Sequence, residues 1–212
     1  MSGGLLFGAS HYVVFGYERM ITPRQSISVN FGRASLPKLV SISTDSFEVQ
    51  NDQKRSGYNF SIDYRFYLAS ENKHHAPHGL YIGPYYSYNK FTNEQKWTHT
   101  NSTASNKLTS DTKFTINTIG FELGYQFIFW KRVALDLVLA GPGVGFYNYK
   151  ATFDGNLDAA TKAQLQDALK QLLTQKFPGM NYVFSDQNLD ADGVMKTNTL
   201  GYRYIIHIGF NF

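Results

Sequence analysis

Three short stretches hold the residue types from which binding or catalytic sites are made. In NLDADG (188–193), oxygen-bearing side chains alternate ahead of a glycine, as at the start of an EF-hand calcium loop. Such a loop needs a bidentate acid at its twelfth position, and the chain has Thr199 there. An Asp/Gly turn explains the stretch as well, and no calcium site is assigned. His74, His75 and His78 are dense enough to ligate a metal, but only Glu71 lies at a supporting spacing. They read as solvated residues of a turn. His207 is of the type that moves protons in acyl transfer. No nucleophile motif accompanies it, and it shares a strand face with Arg203 and Asn211. It reads as an interior histidine held by hydrogen bonds. No catalytic residue, cofactor or metal is therefore expected.

The elements around these residues are strands. In LGYRYIIHIGFNF (200–212), Leu200, Tyr202, Tyr204, Ile206, Ile208, Phe210 and Phe212 share one parity; Gly201, Arg203, Ile205, His207, Gly209 and Asn211 share the other. Strand side chains alternate faces, so one face is wholly apolar and the other mostly small or polar. A helix would scatter the same apolar residues around its circumference. The pattern recurs in SGYNFSIDYRFYL, GLYIGPYYSYN, IGFELGYQFIF and RVALDLVLA, and more weakly in HYVVFGYERM and SISVNFG. Seven segments are visible, at about 11–20, 25–36, 57–68, 79–91, 114–129, 132–149 and 197–212. GGLLFGAS supplies half a strand before them.

Composition narrows the classes. The 212 residues suit one domain, and the absence of cysteine excludes a disulfide scaffold and a cysteine-held metal. Aromatic residues make up 16%, yet mean hydropathy is negative. No run approaches the ~20 apolar residues of a spanning helix. A net charge of +4 without a basic run gives no nucleic-acid surface. MSGGLLFGAS shows no leader, so an exported chain would have been processed, or would start upstream.

Repeated alternation fits a soluble calyx with its apolar face inward, or a membrane barrel with that face outward. Four features favour the barrel. The polar face carries Glu18, Asp63, Arg65, Glu122, Asp136, Arg203 and His207, a set that could pair across a narrow interior. The other face, including Phe60, Ile62, Tyr64, Ile82, Phe121, Leu123, Leu135, Leu137, Tyr204, Ile206 and Ile208, is too uniformly apolar for water. Aromatics collect at segment ends: Phe66, Phe127, Phe129, Trp130, Phe210 and Phe212 at one, and Tyr58, Tyr86, Tyr88, Phe146, Tyr147 and Tyr149 at the other. Short connections (21–25, 69–78, 130–132) alternate with long ones (about 37–55, 92–113, 154–196).

The terminal aromatics Phe210 and Phe212 resemble the signal that outer-membrane proteins present to the barrel-assembly machinery. GYERMITPRQSISVNFG, YRFYLASENKHHAPHGLYIGPYYSY and VALDLVLAGPGVGF resemble a family of small outer-membrane β-barrels of unknown function from diderm bacteria. The likeness covers about 12–153 and the last strand. It implies a fold and a location, with outer-membrane lipid as surroundings, but no activity.

The expected fold is all-β: one antiparallel up-and-down transmembrane β-barrel spanning 1–212, with about eight strands, the first short or truncated, and both termini periplasmic. Eight strands enclose an interior filled by side chains. The long insertion at about 154–196 is expected to carry a helix near 158–176, because Leu165, Leu169, Leu172 and Leu173 fall on one helical face. That face could rest on the barrel rim or dock a protein partner. The expected function is non-enzymatic: a presenter of extracellular loops or an accessory subunit of an outer-membrane complex. The alternatives are a lipid-modifying outer-membrane enzyme and a soluble lipocalin-like lipid carrier.

Overall fold

The computed structural model describes residues 2–5, 11–35, 47–68, 74–99, 107–154 and 194–212. The alternating segments form eight strands: β1 (Ser2–Leu5), β2 (His11–Thr22), β3 (Gln25–Ser35), β4 (Phe47–Tyr67), β5 (Gly79–His99), β6 (Lys107–Phe129), β7 (Val133–Asp154) and β8 (Val194–Phe210). Each is antiparallel to its sequence neighbours, an up-and-down order. β1 also pairs with β8, Ser2 opposite Gly209 and Leu5 opposite Ile206. No helix occurs among the described residues. The sheet curls strongly enough for β4, β6 and β8 side chains to meet across its concave side.

β4 to β7 are 21 to 23 residues long, about twice the length of β2 and β3. They run past the alternating segments into stretches expected to be loops. Phe47–Ser56 pairs with Thr92–His99, Lys107–Lys113 pairs with β5, and Thr109–Lys113 pairs with β7 as well. The extensions, such as TNEQKWTH and KLTSDTK, are polar at nearly every position. Hydrogen-bonded pairing therefore continues after the two-faced pattern has ended. The expected helix near 158–176, its leucines Leu165, Leu169, Leu172 and Leu173, and NLDADG lie outside the described residues.

A second correction concerns β7. Leu123 lies opposite Ala140 and Gly124 opposite Val138, while on the other side Val138 faces Ile205 and Gly141 faces Arg203. One extra residue at Leu139–Ala140 forms a β-bulge, which reverses the parity of everything after it. Tyr149, expected in an outer aromatic ring with Tyr147, is instead buried in the interior, and Tyr147 faces the same way.

Candidate functional site

All seven polar residues singled out in the sequence meet in the interior. Arg65 on β4 is the hub. Its guanidinium lies 3.2 Å from Glu18 on β2, 2.8 Å from Asp136 on β7 and 3.5 Å from Glu122 on β6. Arg203 on β8 pairs with both Asp63 and Glu122. His207 Nδ1 lies 3.1 Å from Asp136 Oδ2. Arg65, Asp63 and Glu122 are each only 1% exposed. Desolvating such charges costs several kcal/mol per ion, so they are tolerable only as a mutually bonded set.

Tyrosines complete the set. Tyr67 donates to Glu18 (2.8 Å) and lies 2.6 Å from Gln126 Oε1. Tyr81 donates to Asp136 at 2.7 Å, and Tyr85 to the Gly141 carbonyl at 2.7 Å. Each ring also carries a guanidinium: Arg65 stands 4.5 Å above Tyr81 and Arg203 stands 3.8 Å above Tyr85. Cations held over ring faces gain further stabilisation when desolvated. Ser26 donates to Glu18, and Asn30 donates to Asp63 at 3.0 Å. The sequence reading missed these residues as members of the network. Alternation places Tyr67 with Asp63 and Arg65, and Tyr81 and Tyr85 with Gly83, on the inner face, but parity says nothing of the partners their hydroxyls reach.

The interior is zoned along its axis. At the end where the short turns lie, a cavity of about 280 Å³ is lined by Glu18, Arg65, Asp136 and His207, with Phe210 and Phe212 at its rim. Beyond Arg203, a cavity of about 180 Å³ has a mostly apolar wall, with Tyr85, Phe91, Tyr147 and Ile205 beside the polar Asn59, Ser61, Ser87, Asn89 and Thr118. Phe91, Phe114 and Tyr149 follow, all buried, with ring centroids 6.4 and 6.1 Å apart.

The outer face is apolar. Ile62, Ile82, Phe121, Leu123, Tyr204, Ile206 and Ile208 are exposed there; Phe60, Tyr64, Leu135 and Leu137 lie on the same face, partly covered by neighbours. Phe121 is 64% exposed, and Phe210 and Phe212 also point out. Among the described residues, no group of three or more His, Asp or Glu is placed to hold a metal. His74 and His78 stack at 4.4 Å, and His78 packs near Tyr125 and Phe127. Partial burial, and then the neighbouring His74, lower the His78 pKa from its ordinary value.

No family model matches the chain, and no curated protein matches it.

Proposed function

We propose that this protein is an eight-stranded β-barrel of a bacterial outer membrane, with both termini in the periplasm. In this reading it serves as a structural or interaction protein: a loop presenter, or an accessory subunit of an outer-membrane complex. The observation that carries the proposal is the pairing of a charged interior with an apolar exterior of constant height. Outward apolar runs cover Tyr58–Phe66, Ile119–Phe129, Val133–Phe146 and Leu200–Phe210. At one border Phe129, Val133 and Phe210 are direct neighbours; at the other Asn117, Phe146 and Asn198 are. Outward residues beyond that second border are polar, as with Lys113, Lys150 and Lys196. The height is close to the ~9–11 residues that a tilted strand needs to cross bilayer hydrocarbon. On β2 the exposed Arg19 stands level with Tyr64, near the turn-end border of the belt; a water-facing sheet would interrupt the belt with charge along its whole height.

The polar ends of β4–β7 then project on the side of the long connections. At ~3.3 Å per residue, about ten extra residues reach roughly 30 Å past the belt, a platform for loops. Phe210 and Phe212 are the residues offered to the barrel-assembly machinery. The interior supports no conduit role: the ion-pair cluster and the Phe91–Phe114–Tyr149 layer fill it in succession. A lipid-modifying enzyme would need a nucleophile on His207 Nε2, and among the described residues none is hydrogen-bonded there. A lipid carrier of the calyx type would need an apolar interior, and this interior holds Arg65, Glu122 and Arg203.

The test is expression with an export signal in a diderm host, followed by membrane fractionation and electrophoresis with and without boiling. A heat-modifiable outer-membrane band is expected, and a stoichiometric protein that co-purifies in mild detergent marks an accessory subunit. Recovery of folded protein in the detergent-free soluble fraction would overturn the proposal.

A further inference from the structure

Past the second border of the apolar belt, on the side of the long connections, the outer face turns basic. Two cross-strand rows lie there. The first runs Arg33, Tyr58, Lys90, Thr115, Asn148 and Lys196 from β3 to β8. The second runs Ser56, Thr92, Lys113, Lys150 and Val194 from β4 to β8. Neither row holds an acid. Arg33, Lys113, Lys150 and Lys196 are exposed, and Lys90 is partly buried. The acids Glu94 and Asp111 come one row farther out, opposite each other, with Lys54 beside Glu94. Going outward, the surface is apolar, then basic, then mixed in charge.

Four of the cations form a staircase across four neighbouring strands. Lys113 on β6 stands directly opposite Lys150 on β7. Lys90 on β5 is the diagonal neighbour of Lys113, and Lys196 on β8 is the diagonal neighbour of Lys150. Like charges directly opposite one another destabilise a sheet, with Cβ atoms only ~5 Å apart. The protein supplies no compensation. Among the described residues, none of the four lysines has an ion pair or hydrogen bond. Glu94 lies diagonal to Lys113 and Asp111 diagonal to Lys150, yet neither acid pairs with them. Anions from outside the chain would relieve the repulsion.

We propose that Lys90, Lys113, Lys150 and Lys196 form a binding site for the phosphate headgroups of anionic lipid, in the leaflet on the side of the long connections. The inference rests on the reading of the outer face as lipid-facing. Position and width select lipid over free phosphate. The staircase starts one row past Tyr88, Asn117 and Phe146, where acyl chains give way to headgroups if the belt matches the hydrocarbon. A lysine at that height can lay its stem on the belt and keep its ammonium among the headgroups. Four strands span three strand spacings, roughly 14 Å. That width takes two or more phosphates side by side, as a leaflet presents them. The turn-end border is basic too, through Arg19, Arg24, Lys131 and Arg132, but no two of these are cross-strand partners.

The chain has no cysteine, so a fluorophore can be attached at Asn148→Cys alone, an exposed position opposite Thr115 and Lys196. The full chain is folded into phosphatidylcholine vesicles that contain a small fraction of lipid carrying a nitroxide near its headgroup, either phosphatidate or phosphatidylcholine. Quenching reports which lipid collects beside the label. Phosphatidate is expected to be enriched about tenfold over phosphatidylcholine. Replacing all four lysines with glutamine should bring the preference below about twofold. Glutamine at Arg19, Arg24, Lys131 and Arg132 should leave it unchanged. Four results would overturn the proposal while leaving the membrane reading intact: equal quenching by the two lipids, a preference that survives in the folded lysine variant, an equal loss in the turn-end variant, or displacement of phosphatidate by inorganic phosphate at the concentration of the vesicle lipid. No quenching by either lipid would overturn the membrane reading, and this inference with it. If the lysine variant lacks the electrophoretic shift of a folded chain, the comparison of the two lipids in the labelled chain decides.

Discussion

Replacing Arg65 with methionine removes the cation of three ion pairs while keeping an unbranched side chain of similar reach. The residue is 1% exposed, and its guanidinium contacts Glu18, Glu122 and Asp136 and covers the Tyr81 ring. After the substitution, Glu18 and Asp136 lose their guanidinium, while Arg203 still pairs with Asp63 and Glu122. Removing one partner from a buried ion pair costs about 3–5 kcal/mol, because the charge left behind is neither hydrated nor compensated. With a urea slope of about 2 kcal/mol/M, the unfolding midpoint should fall by roughly 2 M. The two tryptophans, Trp97 and Trp130, report the transition by fluorescence in detergent micelles. The second half of the test is Glu18→Gln, made alone and together with Arg65→Met. Alone it removes an Arg65 partner. In the methionine background it removes an uncompensated charge, so its cost should shrink or change sign, a coupling of about 1–3 kcal/mol. A midpoint within about 0.5 M of the unmodified protein, or costs that simply add, would refute the view that these groups stabilise one another.

Other outcomes follow from the same geometry. Phe121→Arg places a charge at mid-height on the outer face; if lipid lies there, refolding into bilayers should lose about 2–4 kcal/mol, and undiminished stability would reverse the facing assignment. Gly124→Ala would put a methyl 2.2 Å from the Tyr81 hydroxyl and 2.8 Å from the Leu137 carbonyl, so a loss of about 1–3 kcal/mol is expected by urea titration. His78, whose pKa burial and His74 lower, should titrate by NMR below the ordinary value of ~6.5 and move up in His74→Ala. The folded turn there binds fewer protons than the unfolded chain, so its stability should fall as the pH drops below about 6.5.

Strand faces were legible wherever one face was uniformly apolar. Ile62, Phe121 and Ile208 could be placed outward from parity alone, and Asp63, Glu122 and His207 inward. Two things were hidden. The bulge at Leu139–Ala140 lies in LVLAGPG, whose residues are small or apolar on both sides, so nothing in the pattern marks a change of face. Tyr147 and Tyr149 were misplaced as a result. The strand extensions were hidden because TNEQKWTH and KLTSDTK are polar throughout; pairing there rests on backbone hydrogen bonds rather than on an amphipathic period. The charges of the cluster could be named, but not their arrangement. That arises from the curl of the sheet, which brings β2, β4, β6, β7 and β8 to one axis.

The curl leaves a volume problem that the chain solves between two adjacent strands. On the inner face of β5 stand Tyr81, Gly83 and Tyr85; opposite them on β6 stand Gly124, Glu122 and Gly120. Each large group faces a residue with no side chain. A methyl on Gly120 would come within 2.8 Å of the Tyr85 ring, and one on Gly141 would meet the Arg203 chain at 2.6 Å. The tyrosines therefore lie flat against glycine backbone and offer a ring face to the arginines, while Gly83 lies across from the one interior acid of β6 in this stretch. YIGPY and GFELG are thus two halves of one packing unit, repeated with a spacing of four residues. The bulge in β7 belongs to the same unit, because it turns Gly141 inward, where its carbonyl accepts from Tyr85. Without that extra residue Ala140 would stand opposite Arg203 and Pro142 opposite Gly120, and Gly141 would face outward. Interior charge, paired tyrosines and the parity reversal are one steric solution, and it leaves the turn-end cavity as the larger of the two spaces lined by the cluster's charged residues.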